Sequence, residues 1–324
     1  MRAAGFNRFG GPEVLEVMLF EKPEPGVGEV RVRVITAGVQ PADCAVRRGW
    51  TPPGAELRLP AIPGNEFAGI VDRIGAGVTH FRAGDEVIGF RLLNAYAEYV
   101  TVSELQLVGK PKGMPWEEAG GFSASGQTAH TALEELRIAP GETLLINGAA
   151  GAVGTAAVQI AQAQGVKVIG TASPGNHAYL TSLGAIPVPY GEGMADHIRA
   201  LFPEGVDAML DAAGGDGLVI GTGLVHNRNR VGTIVAFDEA EVLGIIGIRS
   251  KRSAERLAAL VKLYEAHKLR IHVRSVYPLD RAADAHREVE LGHGRGKVVI
   301  RIGDVDEWLL RKNTAAADTP TPSR

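Results

Sequence analysis

The stretch LLINGAAGAVGTAAVQIAQAQG, Leu144 to Gly165, constrains the fold of this chain more than any other. Leu144 to Asn147 suit a buried strand, and a helical run of small and apolar residues starts near Ala152. Between them the side chains nearly vanish, at Gly148, Ala149, Ala150, Gly151 and Gly154. Such a handover either makes a tight turn or lets a large anion touch the backbone. The pattern Ala149-x-Gly151-x-x-Gly154 is a variant of the dinucleotide fingerprint. Gly151 would admit a pyrophosphate to the backbone, and Gly154 would let the helix pack on the strand. The free N–H groups and partial positive charge of the helix N-terminus favour the same anion. A second strand follows at VKVIGTA, so the context that the fingerprint requires is present.

The end of that second strand selects the cofactor. Enzymes that use NAD place an acid there, to hold the ribose hydroxyls. Here the segment reads GTASPGNH, with no acid from Thr171 to Leu180. Ser173 and Asn176 can donate hydrogen bonds to a 2′-phosphate, and His177 can add charge. No Lys or Arg occurs between Lys167 and Arg199, so this segment lacks the cation that would suit a phosphate best. The expected cofactor is NADPH. The alternative is that Ser173 only caps a helix.

With 324 residues the length suggests about two domains. Residues 1 to about 110 are short alternating segments and turns. EVRVRVITAGV reads as a half-exposed strand, FAGIVDRIGAGV and GDEVIGF as Gly-punctuated strands, and AEYVTVSELQLVGKP as a strand pair. This part is expected to be a β-rich, barrel-like unit. From about Trp116 helices and strands alternate, which argues for a parallel sheet with crossover helices. The late strand KVVIRIG is expected to rejoin the first unit. The tail NTAAADTPTPSR is small and polar and reads as disordered.

Formal net charge is −3, with no basic block of the kind that neutralises nucleic acid phosphates or membrane surfaces. No apolar run is long enough to span a bilayer, and the N-terminus lacks the apolar core of a signal peptide. The expected location is cytoplasmic. Cys44 is the only cysteine, so intrachain disulfides and a four-Cys zinc site are excluded. It is read as a packing residue. Asp43 and Arg47, spaced i,i+4, read as a helix-surface ion pair.

Several motifs together carry a family resemblance. AGVQPADCAVRRG, IPGNEFAGIVDRIGAGVTHFRAGDEVIGF, NGAAGAVGTAAVQIA, LDAAGG and GHGRGKVVIRI occur in an order that resembles the medium-chain dehydrogenase/reductase superfamily. Within it the sequence is most similar to the zinc-free quinone oxidoreductase (zeta-crystallin-like) branch, over residues 1 to about 303. The resemblance implies an α/β chain: a GroES-like β-barrel domain (1–117 and 275–303), a Rossmann doubly wound parallel sheet domain (118–274) and a C-terminal tail (304–324). Zinc-dependent members carry a Cys and a His ligand where this chain has Gln40 and Asn65. An amide is a poor zinc ligand, and Glu66 alone does not make a tetrahedral site. No metal is expected.

The resemblance further implies that Ala150, Gly151, Ala152 and Val153 meet the pyrophosphate. Ser173, His177 and Tyr190 match adenosine-phosphate positions, with Asn176 a further donor. Gly215, Phe237 and Lys297 lie in segments that line the cofactor cleft. Gln40, Asn65 and Thr128 are the candidate catalytic residues, and Trp50 and Phe90 the candidate apolar wall of the substrate pocket. The expected reaction is hydride transfer from NADPH to a quinone or α,β-unsaturated carbonyl, a small-molecule substrate. An enoyl-thioester reductase, or a cofactor-binding protein with little turnover, are the alternatives. A homodimer is expected to form through an edge strand, Glu241 to Ile248, which would expose unpaired backbone groups.

Overall fold

The computed structural model describes residues 1–292 and 294–304. The expected tail from 305 onward lies outside the described residues. The N-terminal part forms β1 (Arg2–Gly5), β2 (Glu16–Leu19), β3 (Glu29–Val39), α1 (Pro41–Arg47), β4 (Glu66–Ile74), β5 (Glu86–Phe90), β6 (Tyr99–Ser103) and β7 (Leu107–Gly109). Then come α2 (Trp116–Gly120), α3 (Ser123–Glu135), β8 (Thr143–Asn147), α4 (Ala152–Ala163), β9 (Lys167–Ala172), α5 (His177–Ser182), β10 (Ile186–Pro189), α6 (Met194–Leu201) and β11 (Ala208–Asp211). The chain continues through α7 (Asp216–Thr222), β12 (Val231–Thr233), α8 (Phe237–Leu243), β13 (Ile246–Gly247), α9 (Ala254–Glu265), β14 (Val273–Pro278), α10 (Ala282–Glu290) and β15 (Lys297–Arg301).

The strands β8 to β13 form a six-stranded sheet in the order β10-β9-β8-β11-β12-β13, with every pairing parallel. The order reverses between β8 and β11, as in a doubly wound Rossmann sheet. The second large sheet runs β14-β15-β3-β4-β5-β7, with β6 also on β3. As expected, KVVIRIG returns to this sheet: Val298 to Arg301 pair antiparallel with Val39 to Thr36. One apolar core fills the β-rich unit around Val32, Val34, Phe67 and Tyr96. Another packs α3, α4 and α9 around β8 and reaches Ile88 and Phe90, so it is shared by both units.

The structure corrects the reading of β3. Its charged residues look solvent-facing in sequence, yet Arg31 and Arg33 are buried. As a central strand β3 is covered on both faces, and Arg31 is matched by Asp72 at 2.6 Å and Glu24 at 2.5 Å. The expected strand Glu241 to Ile248 is also revised. Glu241 to Leu243 finish α8, Gly244 turns the chain with φ +65°, and only Ile246–Gly247 pair with β12. That short strand does lie at the sheet edge.

The turn after β8 depends on two glycines. Gly148 has φ +78°, a left-handed conformation that other residues resist. A Cβ on Gly154 would stand 2.3 Å from Gly148 O and 2.7 Å from Ala149 Cα, both backbone atoms that cannot swing away. Gly154→Ala should therefore lower stability by about 1–3 kcal/mol, the usual range for overpacking, in urea denaturation.

Candidate active site

The cleft opens where the parallel sheet reverses. Loops after β8 and β11 leave in opposite directions and make a crevice at the carboxyl ends of the strands. A buried hydrogen-bond chain ties those ends together. Thr171 Oγ1 donates to Asn147 Oδ1 at 2.8 Å, and Asn147 Nδ2 donates to Asp211 Oδ1 at 2.7 Å. Thr233 Oγ1 donates to Asp211 Oδ2 at 2.6 Å, so the chain crosses β9, β8, β11 and β12. Gly148 N–H joins it by donating to Thr171 Oγ1 at 3.1 Å. The resulting cleft holds about 750 Å³ and is lined by residues of both sheets.

One side of the cleft is a backbone cradle. Gly151 is the N-cap of α4 and offers no side chain to the first turn of N–H groups. A Cβ on Gly151 would touch only Gly148 O, at 3.4 Å, so the space before it is open. Gly151, Ala152 and Val153 line the cleft, while Ala150 is buried behind them and accepts from Gly296 N–H at 3.0 Å. An uncapped helix end with an open glycine fits a pyrophosphate. Phe237 also lines the cleft, and Gly215, with φ +65°, caps α7 just beyond β11.

Ser173, Asn176 and His177 sit together at the end of β9. Asn176 Nδ2 donates to Ser173 Oγ at 3.1 Å, and His177 Nε2 lies 3.2 Å from Ala172 O. Pro189 pairs with Ala172, which puts the exposed Tyr190 beside Ser173. Sequence reasoning found no cation here, but the structure supplies one from far along the chain. Arg295 Nε donates to Asn176 Oδ1 at 3.0 Å, with its guanidinium over the Tyr179 ring at 4.4 Å. The quoted segment GHGRGK held that signal, without any hint of where it would fold.

The opposite side is organised by Glu66, which is fully buried. Its Oε2 accepts from Ala124 N–H at 2.6 Å. Its Oε1 lies 2.5 Å from Lys297 Nζ and also accepts from Gln40 Nε2. Gly38 makes this possible, because a Cβ there would lie 2.1 Å from Glu66 Oε1. Lys297 lines the cleft, but its ammonium is committed to Glu66. Gln40, Asn65, Thr128, Trp50 and Phe90 all line the same cleft. They are not equivalent. Gln40 spends an amide hydrogen on Glu66, and Thr128 Oγ1 donates to Ala124 O at 2.7 Å. The Asn65 side chain makes no hydrogen bond among the described residues, and its Oδ1 is buried without a partner. Trp50 is half-exposed at the mouth and Phe90 is buried in the wall.

This donor set does not suit zinc. Gln40 and Asn65 offer amides, and the one carboxylate beside them already faces an ammonium. Among the described residues no group of three or more His, Cys, Asp or Glu could hold a metal. Cys44 is buried, and desolvation pushes its thiol up to about 12, far from a reactive thiolate.

The expected surface pair of Asp43 and Arg47 is not formed, because α1 packs inward and buries both. Asp43 accepts from Gln40 N–H and from Tyr96 Oη–H, each at 2.9 Å. Burial raises its carboxyl to about 6 against these bonds. Arg47 turns to Glu290, at 2.5 Å, and to Gly10 O, at 3.1 Å.

Comparison with known proteins agrees with this geometry. Residues 26–122 match the family described as alcohol dehydrogenase GroES-like domain, and residues 183–300 the family described as zinc-binding dehydrogenase. A quinone oxidoreductase of Pseudomonas aeruginosa is 32% identical over 324 residues, covering 91% of this chain and 98% of that protein. The chain belongs to the zinc-independent quinone oxidoreductases of the medium-chain dehydrogenase/reductase superfamily. The solved quinone oxidoreductase of Coxiella burnetii superposes with a TM-score of 0.84 at 31% identity, over 94% of this chain and 99% of that one. The Escherichia coli quinone oxidoreductase solved with NADPH gives 0.82 at 25% identity, over 93% and 100%. The chain is thus an oxidoreductase of this superfamily.

The Glu66–Lys297 pair yields a direct test. Breaking a buried pair by removing one partner strands the other charge, at a cost of about 3–5 kcal/mol. Glu66→Gln and Lys297→Met should each lose stability on that scale in chemical denaturation. The double variant should recover much of the loss.

Proposed function

We propose that the protein reduces quinones or α,β-unsaturated carbonyls with NADPH, without a metal. The observation that carries this reading is a single cleft with an open pyrophosphate cradle on one side. On the other side the polar end has its carboxylate neutralised by Lys297. In this reading residues 118–274 form most of the cofactor side and residues 1–117 with 275–303 most of the acceptor side, with Arg295 crossing to the cofactor and Thr128 to the acceptor.

When bound, the nicotinamide supplies a hydride. The chain's own groups supply position and polarity. Gly151 admits the pyrophosphate to the N–H groups of α4, flanked by Ala150, Ala152 and Val153. Ser173, Asn176, His177 and Tyr190 would hold the 2′-phosphate, and Arg295 would add the cation. Gly215 and Phe237 border the cofactor along the sheet ends. Trp50 and Phe90 form the apolar wall that holds the acceptor flat. The acceptor gains the hydride at its electrophilic carbon, its conjugated π electrons move onto the carbonyl oxygen, and a solvent proton completes the reduction. Holding acceptor and donor at near-attack distance is the main contribution. A donor to the developing oxyanion is the second, and Asn65 is the uncommitted amide for it, with Gln40 and Thr128 as supporting groups.

NADPH should bind about ten- to a hundredfold more tightly than NADH, the range for charge-assisted hydrogen bonds to a phosphate. Fluorescence titration of Arg295→Ala should find that preference reduced to within about threefold, with NADH affinity unchanged. An unchanged preference would remove Arg295 from the phosphate site.

NADPH consumption should be seen with quinones and enones in the presence of chelator. Asn65→Ala should lower kcat by about a hundredfold, as loss of one oxyanion donor does, with little change in cofactor affinity. Activity confined to enoyl thioesters would favour the thioester-reductase alternative.

The short edge strand Ile246–Gly247 is the proposed contact of a homodimer, since its outer backbone groups lack a strand partner among the described residues. Light scattering at micromolar concentration should report a dimer, and a monomer would contradict this.

A further inference from the structure

The cleft carries more positive charge than its cofactor cradle explains. Among its charged lining residues, Lys297 is paired with Glu66 and Arg274 with Glu288, while Arg91 donates to Thr101 O at 2.8 Å and Arg249 lies over the Phe237 ring at 4.6 Å. Asp43 is the lining carboxylate, buried under Tyr96 and the Gln40 N–H. Arg252 lines the cleft and has no carboxylate within ion-pair distance among the described residues. Among the described residues its hydrogen bonds run from Nη1 to the backbone, to Asn65 O at 2.9 Å and to Arg91 O at 3.5 Å. The edge made by Nε and Nη2 therefore has no acceptor among the described residues. That edge is the one that meets a carboxylate with two parallel hydrogen bonds.

Its neighbours hold Arg252 in place. Ser253 N–H donates to Gln127 Oε1 at 2.8 Å, and Lys251 N–H to Thr131 Oγ1 at 3.1 Å, so the segment is pinned along α3. Two further polar groups beside it lack partners among the described residues. Asn65 Oδ1, on a residue only 7% exposed, and Ser250 Oγ are both buried without a hydrogen bond, and both residues line the cleft. Desolvation disfavours the charged guanidinium here, while Glu66 and Asp43 favour it. Glu66 is ion-paired with Lys297 and Asp43 is held by Tyr96 and the Gln40 N–H, so neither occupies the free edge of the guanidinium. The bond to Asn65 O puts Arg252 at the acceptor end, away from the pyrophosphate cradle at Gly151.

We propose that Arg252 receives a carboxylate of the acceptor, so that the favoured substrates are conjugated carbonyl compounds bearing a carboxylate. This rests on the reductase reading given above. The guanidinium would fix the distal end of the acceptor, while the Asn65 amide meets the carbonyl oxygen. Arg252 is then a specificity-determining residue, and a neutral ester of the same acceptor gains nothing from it.

The test compares trans-4-oxo-2-pentenoate with its methyl ester. The wild type should favour the acid by about ten- to a hundredfold in kcat/KM, the value of hydrogen bonds to a charged group. Arg252→Ala should erase that preference through KM of the acid and leave the ester within about threefold, and Arg252→Lys should restore part of it. Equal losses on acid and ester, or a fall in kcat alone on both, would overturn the proposal. Binding of the saturated keto acid 4-oxopentanoate to the NADP⁺ complex, by calorimetry, separates the two readings. If it binds in an Arg252-dependent way while neither acceptor is reduced, the reductase reading fails and the carboxylate site stands. If its affinity is the same in wild type and Arg252→Ala, or if it binds neither, the carboxylate site is refuted whatever the turnover.

Discussion

The carboxylate of Glu66 is the point on which both halves of the molecule close. It stands on β4 of the β-rich sheet, takes the first-turn N–H of Ala124 from α3, and faces the ammonium of Lys297 from the returning strand β15. Three distant parts of the chain must arrive together for this charge to be tolerable, because an isolated buried carboxylate is far too costly. The Gly38 backbone leaves the room for it. Such a pair adds little net stability over an apolar substitute, whereas losing one partner leaves the other charge buried and unpaired. It also sets the chemistry next door. A carboxylate neutralised by an ammonium leaves Gln40 and Asn65 as amide hydrogen-bonding groups at the places where relatives with zinc have ligands.

The opposite side of the cleft depends on backbone rather than charge. The Thr171–Asn147–Asp211–Thr233 chain locks the carboxyl ends of four strands. It thereby fixes where α4 begins and which way its free N–H groups point. Gly154 is filled by backbone contact, whereas Gly151 is open. The same residue type thus serves packing at one position and access at the other, three residues apart in the loop.

Much of this was legible in the sequence, for physical reasons. A strand, a small-residue loop and a helix in immediate succession leave few folds, so the parallel sheet and its cradle could be placed at Gly151 and Gly154. The family resemblance, not the local pattern, implied that Gln40 and Asn65 stand where zinc-dependent members carry Cys and His. Long-range partners were not legible. Arg295 and Arg252 lie far in sequence from Asn176 and Asn65, and nothing periodic marks them. Arg47 read as a surface partner of Asp43 because helical spacing says nothing of which face is buried. The strand after α8 came out shorter than expected, because Gly244 ends a helix where the apolar run suggested extended chain.

On the proposed reading, an amide-lined cleft with a self-neutralised carboxylate suffices for hydride transfer to a conjugated carbon. This is tested most directly by a single turnover of chelator-treated protein with NADPH deuterated at the transferable position and an enone acceptor. The account predicts deuterium on the product carbon β to the carbonyl, with no dependence on added zinc. Deuterium on the carbonyl carbon, or activity that vanishes on chelation and returns with zinc, would contradict it.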